Sequence, residues 1–328
     1  MATNMDVILR QELVERRHQL EQAVSVGIVS PQVQRLICEV DAALSRMENG
    51  TYGLCEVCHE SIETDRLFSD PLARFCLDHL TPNQQRALES DLELAAKIQK
   101  GLLPGTHLRY GGWEAAYHYE PAGIVSGDYC DLVLGQNGDF YFILGDVVGK
   151  GVAASMLMVH LQAMFRTLIP MRLPLPELVE RASSVFCKST LPTHYATLVC
   201  GRAGDSGEVE VCNAGHLPPL LISERGIVQI DPTGLLLGAF CDEQFTTRRI
   251  RVDPGETILL YTDGLSEARD SSGRMYGSDR IRELALGQKG RQAKDLIEIC
   301  LKDLAGFRKD VPTGDDLTIM TIRRSAAR

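Results

Sequence analysis

The sequence is short of positive charge. Its 34 Lys and Arg stand against 44 Asp and Glu in 328 residues, a net charge of −10. A protein that grips nucleic acid or an anionic membrane through phosphate contacts carries the opposite balance. Long apolar runs are missing as well: nothing approaches the ~18 uninterrupted apolar residues of a spanning helix. Nor is there a secretory signal core, because Asp6, Arg10, Glu12, Glu15, Arg16 and Arg17 arrive too early. Hydrophobic residues at 44% and charged residues at 24% exclude wholesale disorder. These absences predict a soluble, cytoplasmic protein without a nucleic-acid or membrane partner. The length predicts two domains, at roughly 100–200 residues each.

Cysteine is plentiful, with ten residues. Without a signal peptide, a disulfide scaffold is not expected. Cys38, Cys130, Cys187, Cys200, Cys212, Cys241 and Cys300 are scattered, mostly in apolar surroundings, and are expected to act as small buried hydrophobes. Cys55, Cys58 and Cys76 crowd together. With His79 they form C-x2-C, seventeen residues, C-x2-H. Two tight turns that each offer two ligands complete a tetrahedron around Zn²⁺, and with every position filled by protein the site is structural. His59, adjacent to Cys58, is a rival ligand that points awkwardly and is assigned to the surface.

Around that cluster, Leu9, Leu13, Leu20 and Val24 recur at helical spacing, as do Val33, Leu36, Ile37, Val40, Leu44 and Met47. Gly27 and Ser30-Pro31 separate the two runs, which predicts a helical hairpin. Residues 32–80, with Glu48-Asn49-Gly50-Thr51-Tyr52-Gly53-Leu54-Cys55 and Arg74-Phe75-Cys76, resemble the DksA/TraR-type zinc finger packed on its helices. Members of that family act on RNA polymerase through an acidic hairpin tip. The turn here, residues 24–30, carries no acid, so fold and zinc are what the resemblance carries over. Residues 1–80 hold seven Arg, no Lys and thirteen acids, a sign that repels phosphate and predicts a module for a protein partner or upstream signal.

Pro82 opens a further helix that ends at Pro104-Gly105. Leu88, Leu92, Ala95, Gln99 and Leu102 follow a 4-3-4-3 spacing, which fits either a coiled-coil seam, and hence a homodimer, or an amphipathic face packed on its own domain. The expected organisation is a hairpin and finger over 1–80, a linker helix over 81–106 and a catalytic domain over 107–326.

From Trp113 the pattern becomes alternating. Asp131–Leu134 and Phe140–Leu144 flank Gln136-Asn137-Gly138, the chemistry of a tight hairpin turn. Asp128 and Asp146 lie nine residues either side of Asn137, so a continuous pairing sets the two carboxylates nearly opposite each other. Like charges there are unfavourable without a cation. The strand Thr257–Tyr261 runs into Thr262-Asp263-Gly264, and Gly314-Asp315-Asp316 precedes the strand Leu317–Ile322. If those strands are antiparallel neighbours, a second carboxylate pair forms at one edge. All-oxygen ligands suit Mg²⁺ or Mn²⁺. Gly145–Gly151 is not a phosphate-binding P-loop, since its spacing is too short and Gly151 stands where Ser or Thr is required.

Val125-Ser126-Gly127-Asp128-Tyr129-Cys130-Asp131, Gly145-Asp146-Val147-Val148-Gly149-Lys150-Gly151, Asn213-Ala214-Gly215-His216, Tyr261-Thr262-Asp263-Gly264 and Gly314-Asp315-Asp316-Leu317-Thr318 occur in that order. With the lead-in Ile98-Gln99…Leu102-Leu103-Pro104, they resemble the SpoIIE/RsbU branch of the PP2C-type (PPM) serine/threonine phosphatases over about 95–326. The resemblance implies an α+β fold, an antiparallel β-sandwich flanked by helices, with two Mn²⁺ or Mg²⁺ ions at its edge. It implies that Asp146 bridges the ions, that Asp128 serves one side and Asp263 and Asp315 the other, and that the Val147 carbonyl completes a shell. Asp316 is then not the ligand of its pair. The implied substrate is a phosphorylated STAS-type antagonist of an anti-sigma factor in a bacterial partner-switching pathway, with the finger region as regulator. The rival is a transcription regulator that binds RNA polymerase through the finger. Ser126 replaces a glycine usual in the family, Val148 stands where eukaryotic relatives carry an acid histidine, and His216 is expected to fix a loop.

Overall fold

The computed structural model describes residues 9–11, 13–14, 16–18, 20–21, 31–80, 82–135, 138–191, 193–288, 290–309 and 311–325. The chain forms two compact units, Met1–Asp91 and Leu92–Arg328.

In the first unit the described residues between 9 and 21 are helical. They run beside α1 (Pro31–Glu48), where Leu13 packs with Val40 and Ala43 and Arg17 pairs with Asp41 at 2.8 Å. These contacts bear out a helical pair; its expected turn, with Val24, Gly27 and Ser30, lies outside the described residues. Beyond α1, short loops, α2 (Thr64–Ser69) and a 3₁₀ turn at Leu77–His79 enclose a small core of Leu9, Ile62, Leu67 and Ala73 around Cys55 and Cys76.

Helix α3 (Pro82–Leu102) contains the point where the units part. In the second unit, the six-stranded sheet runs in the order β1 (His107–Tyr110), β2 (Trp113–Glu120), β11 (Leu317–Arg324), β10 (Thr257–Tyr261), β7 (Leu220–Ser223), β8 (Gly226–Gln229). The five-stranded sheet runs β3 (Asp128–Leu134), β4 (Phe140–Val147), β5 (Ala196–Ala203), β6 (Glu208–Ala214), β9 (Arg248–Arg251). Neighbours pair antiparallel throughout. Between the sheets lie Cys130, Leu132, Phe142, Leu144, Leu260 and Met320. On the outer face of the five-stranded sheet, α4 (Gly151–Leu168) and α5 (Leu175–Ser189) cover Tyr129, Ile143 and Val147 with Met158, Leu161 and Phe165. On the other side α7 (Ser278–Leu286) and α8 (Ala293–Arg308) cover Leu259 and Ile319 with Leu296 and Cys300. Both sheets are therefore covered on both faces. This is why Trp113–Tyr117 is buried at every position rather than alternating with solvent as a half-exposed strand would.

Two expectations need correction. Cys187, in the last turn of α5, and Cys241 form a disulfide, with Cα atoms 5.3 Å apart; they are 54 residues apart in sequence, and no spacing signal could pair them. Cys38 is exposed, whereas Cys130, Cys200, Cys212 and Cys300 are buried thiols as expected. The segment Gly151–Met171 also has a mean hydropathy of 1.4, enough with its length for a membrane span. His160, Gln162 and Arg166 interrupt it, so it holds no unbroken apolar run of that length, and its apolar face is the one packed on the sheet.

Candidate active site and zinc centre

The β3–β4 pairing makes Asp128 and Asp146 direct cross-strand partners. Antiparallel ladders set such pairs about 4.5–5.5 Å apart at Cα, so two carboxylates share one strand end. In the other sheet β10 and β11 are antiparallel neighbours in the register Tyr261↔Ile319, which brings Asp263 and Asp315 to one edge. Asp263 opens the short helix α6 (Asp263–Ser266). Gly264 lies against the Asp316 carbonyl, where a β-carbon would collide with it.

Hydrogen bonds across the sheets join the two pairs. Thr262 Oγ1 and Thr318 Oγ1 donate to Asp128 Oδ2 at 3.0 and 2.5 Å, and the Gly127 N–H donates to Asp316 Oδ2 at 2.8 Å. Asp316 Oδ1 accepts the Ala122 N–H at 2.7 Å. Both Asp316 oxygens are thus engaged in fixing the 122–127 loop. Asp128 is different: buried, with Oδ1 lacking any hydrogen-bond partner. An orphaned buried carboxylate oxygen is costly and fits a cation. A β-carbon on Gly127 would lie 3.3 Å from the Val147 carbonyl and 3.7 Å from Asp146 Oδ1, so those two oxygens flank the same loop.

The electrostatics agree. Burial, then the charge of Asp146, drives the Asp128 carboxyl well above its ordinary range. Burial, with Asp263, Asp315 and Asp316 behind it, lifts Asp146 to about 7. Burial and Asp315 raise Asp263. These carboxylates repel one another in the absence of a positive partner. Lys150 supplies the positive charge the side chains themselves offer, at 3.0 Å from Asp315 Oδ2.

Several supporting residues are not visible as such in the motifs. Gln99 is the buried residue of α3, and its amide closes on the backbone of Ser126. Nε2 donates to the Ser126 carbonyl at 2.7 Å, and Oε1 accepts the Ser126 N–H at 3.0 Å. The Ser126 hydroxyl in turn accepts the Asp128 N–H at 3.1 Å. Arg166 on α4 holds buried Asp131 through two bonds, 2.8 and 2.7 Å long, which fixes α4 to β3. His216 is buried. Its Nδ1 lies 2.7 Å from the Thr197 hydroxyl, and its Nε2 is 3.2 Å from the Tyr261 carbonyl, which puts the proton on Nε2. Burial holds its basicity down at about 4. Both ring nitrogens are occupied in joining β5 to β10, the loop-fixing role expected of it.

In the first unit, Cys55, Cys58, Cys76 and His79 have ligand atoms all within 4.8 Å of one another, the one such group among the described residues. Cys58 and Cys76 Sγ are 3.8 Å apart, the edge length of a tetrahedron with zinc–sulfur bonds of roughly 2.3 Å. Burial acts to raise the Cys55 thiol, yet the N–H groups of Cys58, Cys76 and Val57 bring it down to about 6. A thiolate is thus favoured where a metal would take it. His59 is exposed with φ +60°, on the surface as expected.

Two stacked antiparallel sheets between helical layers, with a carboxylate cluster at their common edge, make the second unit a PP2C-type phosphatase domain. The chain belongs to the SpoIIE family: residues 136–325, more than half of it, match the family described as Stage II sporulation protein E. Residues 50–78 match the prokaryotic DksA/TraR C4-type zinc finger, and His79, one residue beyond the match, completes the group with the three cysteines in the structure. Protein IcfG of Synechocystis sp. is 25% identical over 264 residues, 72% of this chain. Phosphoserine phosphatase RsbU of Bacillus subtilis is 23% identical over 243 residues, 73% of this chain. The match spans 42% of IcfG and 72% of RsbU. Among solved structures, the SiaA-PP2C domain of Pseudomonas aeruginosa superposes with a TM-score of 0.62 at 18% identity, over 73% of this chain and 97% of that one.

Proposed function

We propose that the chain is a metal-dependent phosphatase acting on phosphoserine or phosphothreonine in a protein. The observation that carries this is the cross-strand pair Asp128–Asp146 with Asp128 Oδ1 unpartnered, facing Asp263 and Asp315 from the second sheet. Asp146, whose charge meets those of Asp263 and Asp315, would hold two Mn²⁺ or Mg²⁺ ions together with Asp128, Asp263, Asp315 and the Val147 carbonyl. Divalent ions held there supply a nucleophile from water near neutral pH and offset charge on the phosphoryl oxygens. Thr262 and Thr318 orient Asp128, and Asp316 fixes the loop that carries it.

The substrate favoured by the likeness to RsbU is a phosphorylated STAS-type antagonist in a partner-switching pathway. The zinc-finger region would regulate the enzyme, dock an upstream partner, and act through α3. Gln99 supports this, because displacement of α3 would pull on the Ser126 backbone and hence on Asp128. A homodimer through the linker remains part of this reading: Leu88 of the 4-3-4-3 seam is exposed, as are Leu94 and Ile98 beside it, whereas Gln99 of the seam packs on its own domain. Purified protein with Mn²⁺ is expected to release phosphate from a phosphorylated STAS protein, and Asp146→Ala and Asp263→Ala are each expected to lose at least 100-fold in kcat, as removal of a metal bridge or ligand implies. Undiminished turnover in both variants would exclude the proposal.

A further inference from the structure

Lys150 is the motif residue that the metal chemistry leaves unassigned. It is the N-cap residue of α4, with extended backbone, and its ammonium group reaches the Gly314-Asp315 loop. Nζ lies 2.9 Å from the Gly314 carbonyl and 3.0 Å from Asp315 Oδ2. The side chain is 63% exposed and that of Asp315 40%, so the pair is an open ion pair whose exchange costs little. Gly314 and Asp315 also line a cavity of about 270 Å³ with Glu267, Arg308 and Thr313. The ammonium group therefore sits at the rim of a cleft that opens beside the carboxylate edge. Two guanidinium groups line that cleft, and both already donate to protein oxygens, Arg308 to the Val311 carbonyl and the Thr313 hydroxyl and Arg269 to the Gly273 carbonyl.

We infer that Lys150 is the phosphate-contacting residue of the active site, donating to the transferred phosphoryl group of the substrate. This rests on the phosphatase proposal above. A carboxylate engaged by a divalent ion has less charge to offer an ammonium group, and a dianionic phosphate arriving at the same edge has more. A lysine is suited to this exchange because its three donors sit on a flexible stem and act as a mobile point charge. The sequence Gly149-Lys150 fails as a P-loop, yet its lysine still meets phosphate, by reaching from a helix start to a facing loop.

Binding, apart from turnover, tests this. Inorganic phosphate and Mn²⁺ are titrated calorimetrically into wild-type, Lys150→Met and Lys150→Arg protein, and KM is measured with a phosphoserine peptide. A charge-assisted hydrogen bond is worth enough that Lys150→Met should weaken phosphate binding and raise KM by about tenfold to a hundredfold. Its Mn²⁺ affinity should be unchanged or tighter, and Lys150→Arg should recover much of the loss. Phosphate affinity and KM unchanged in Lys150→Met would overturn the assignment and leave Lys150 as a counter-ion of Asp315. A phosphate loss matched by an equal Mn²⁺ loss would overturn it too. Wild-type protein that hydrolyses no phosphoserine peptide marks failure of the phosphatase proposal itself, a result distinct from either.

Discussion

Asp128 uses one carboxylate oxygen twice, for Thr262 and Thr318, and the other not at all. Across the strand pair Asp146 stands at about 7, against an ordinary value near 3.9 in an unfolded chain. Between those values the folded metal-free protein binds more protons than the unfolded one. Stability is then greatest at or below about pH 4 and falls as pH rises through about 7. Chelator-treated protein should therefore unfold at lower urea at pH 8 than at pH 5, by on the order of 1–3 kcal/mol. Trp113, the single tryptophan and a buried one, reports this unit alone. Excess Mn²⁺ should abolish the slope, and Asp146→Asn should flatten it without metal. A metal-free midpoint that holds constant from pH 5 to 8 would mean that the carboxylates do not burden the fold.

At the scale of elements, the loop between β8 and β9 is tied to the rest by scattered bonds. The Gly238 N–H donates to Ser183 and the Phe245 N–H to Glu180, both on α5, and Leu237 bridges to Ala196 at the start of β5. The Cys187–Cys241 disulfide adds a covalent tie on the same face. A cross-link closing a loop of this size stabilises by about 2–4 kcal/mol, so reduction should lower the unfolding temperature of the second unit by several degrees, and reduced wild-type should match Cys187→Ser. Equal melting of oxidised and reduced wild-type would show that the hydrogen bonds suffice. This element also shows where sequence reasoning ends. The Asp128–Asp146 pairing is legible because strand alternation carries it over a short span and both carboxylates stand nine residues from Asn137, although the expected turn at Gln136-Asn137 lies outside the described residues. The CxxC spacing is legible because both ligands of a pair lie in one turn. The disulfide, the Thr262 and Thr318 bonds to Asp128, and the Gln99 contact with Ser126 join residues far apart in sequence, where nothing local constrains the partner. Gln99 is a case of a weak seam residue that turns out to be an anchor. Its polarity, poor for a coiled coil, is what two backbone bonds require.

At the scale of the molecule, the two units differ in what can hold them. The second has three extensive apolar clusters, one between its sheets and one on each outer face. Among the described residues the first has two small ones, and Cys55 and Cys76 are themselves part of that core. A core this thin depends on a staple, and a zinc ion that organises four ligands contributes its binding energy to folding. Metal removal by mutation, which leaves Mn²⁺ in place, separates the units. Cys76→Ser should lose the zinc stoichiometry and show two unfolding steps by circular dichroism, the first at a much lower temperature and silent in Trp113 fluorescence. Turnover of a small phosphoester in the second unit should persist in this variant. If the finger governs the enzyme, turnover of the protein substrate should change while that of the small ester does not. A single transition at the wild-type temperature would remove zinc from the stability of the first unit. Parallel loss of both activities would mean that the metal at the front of the chain supports the fold of the enzyme behind it rather than its regulation.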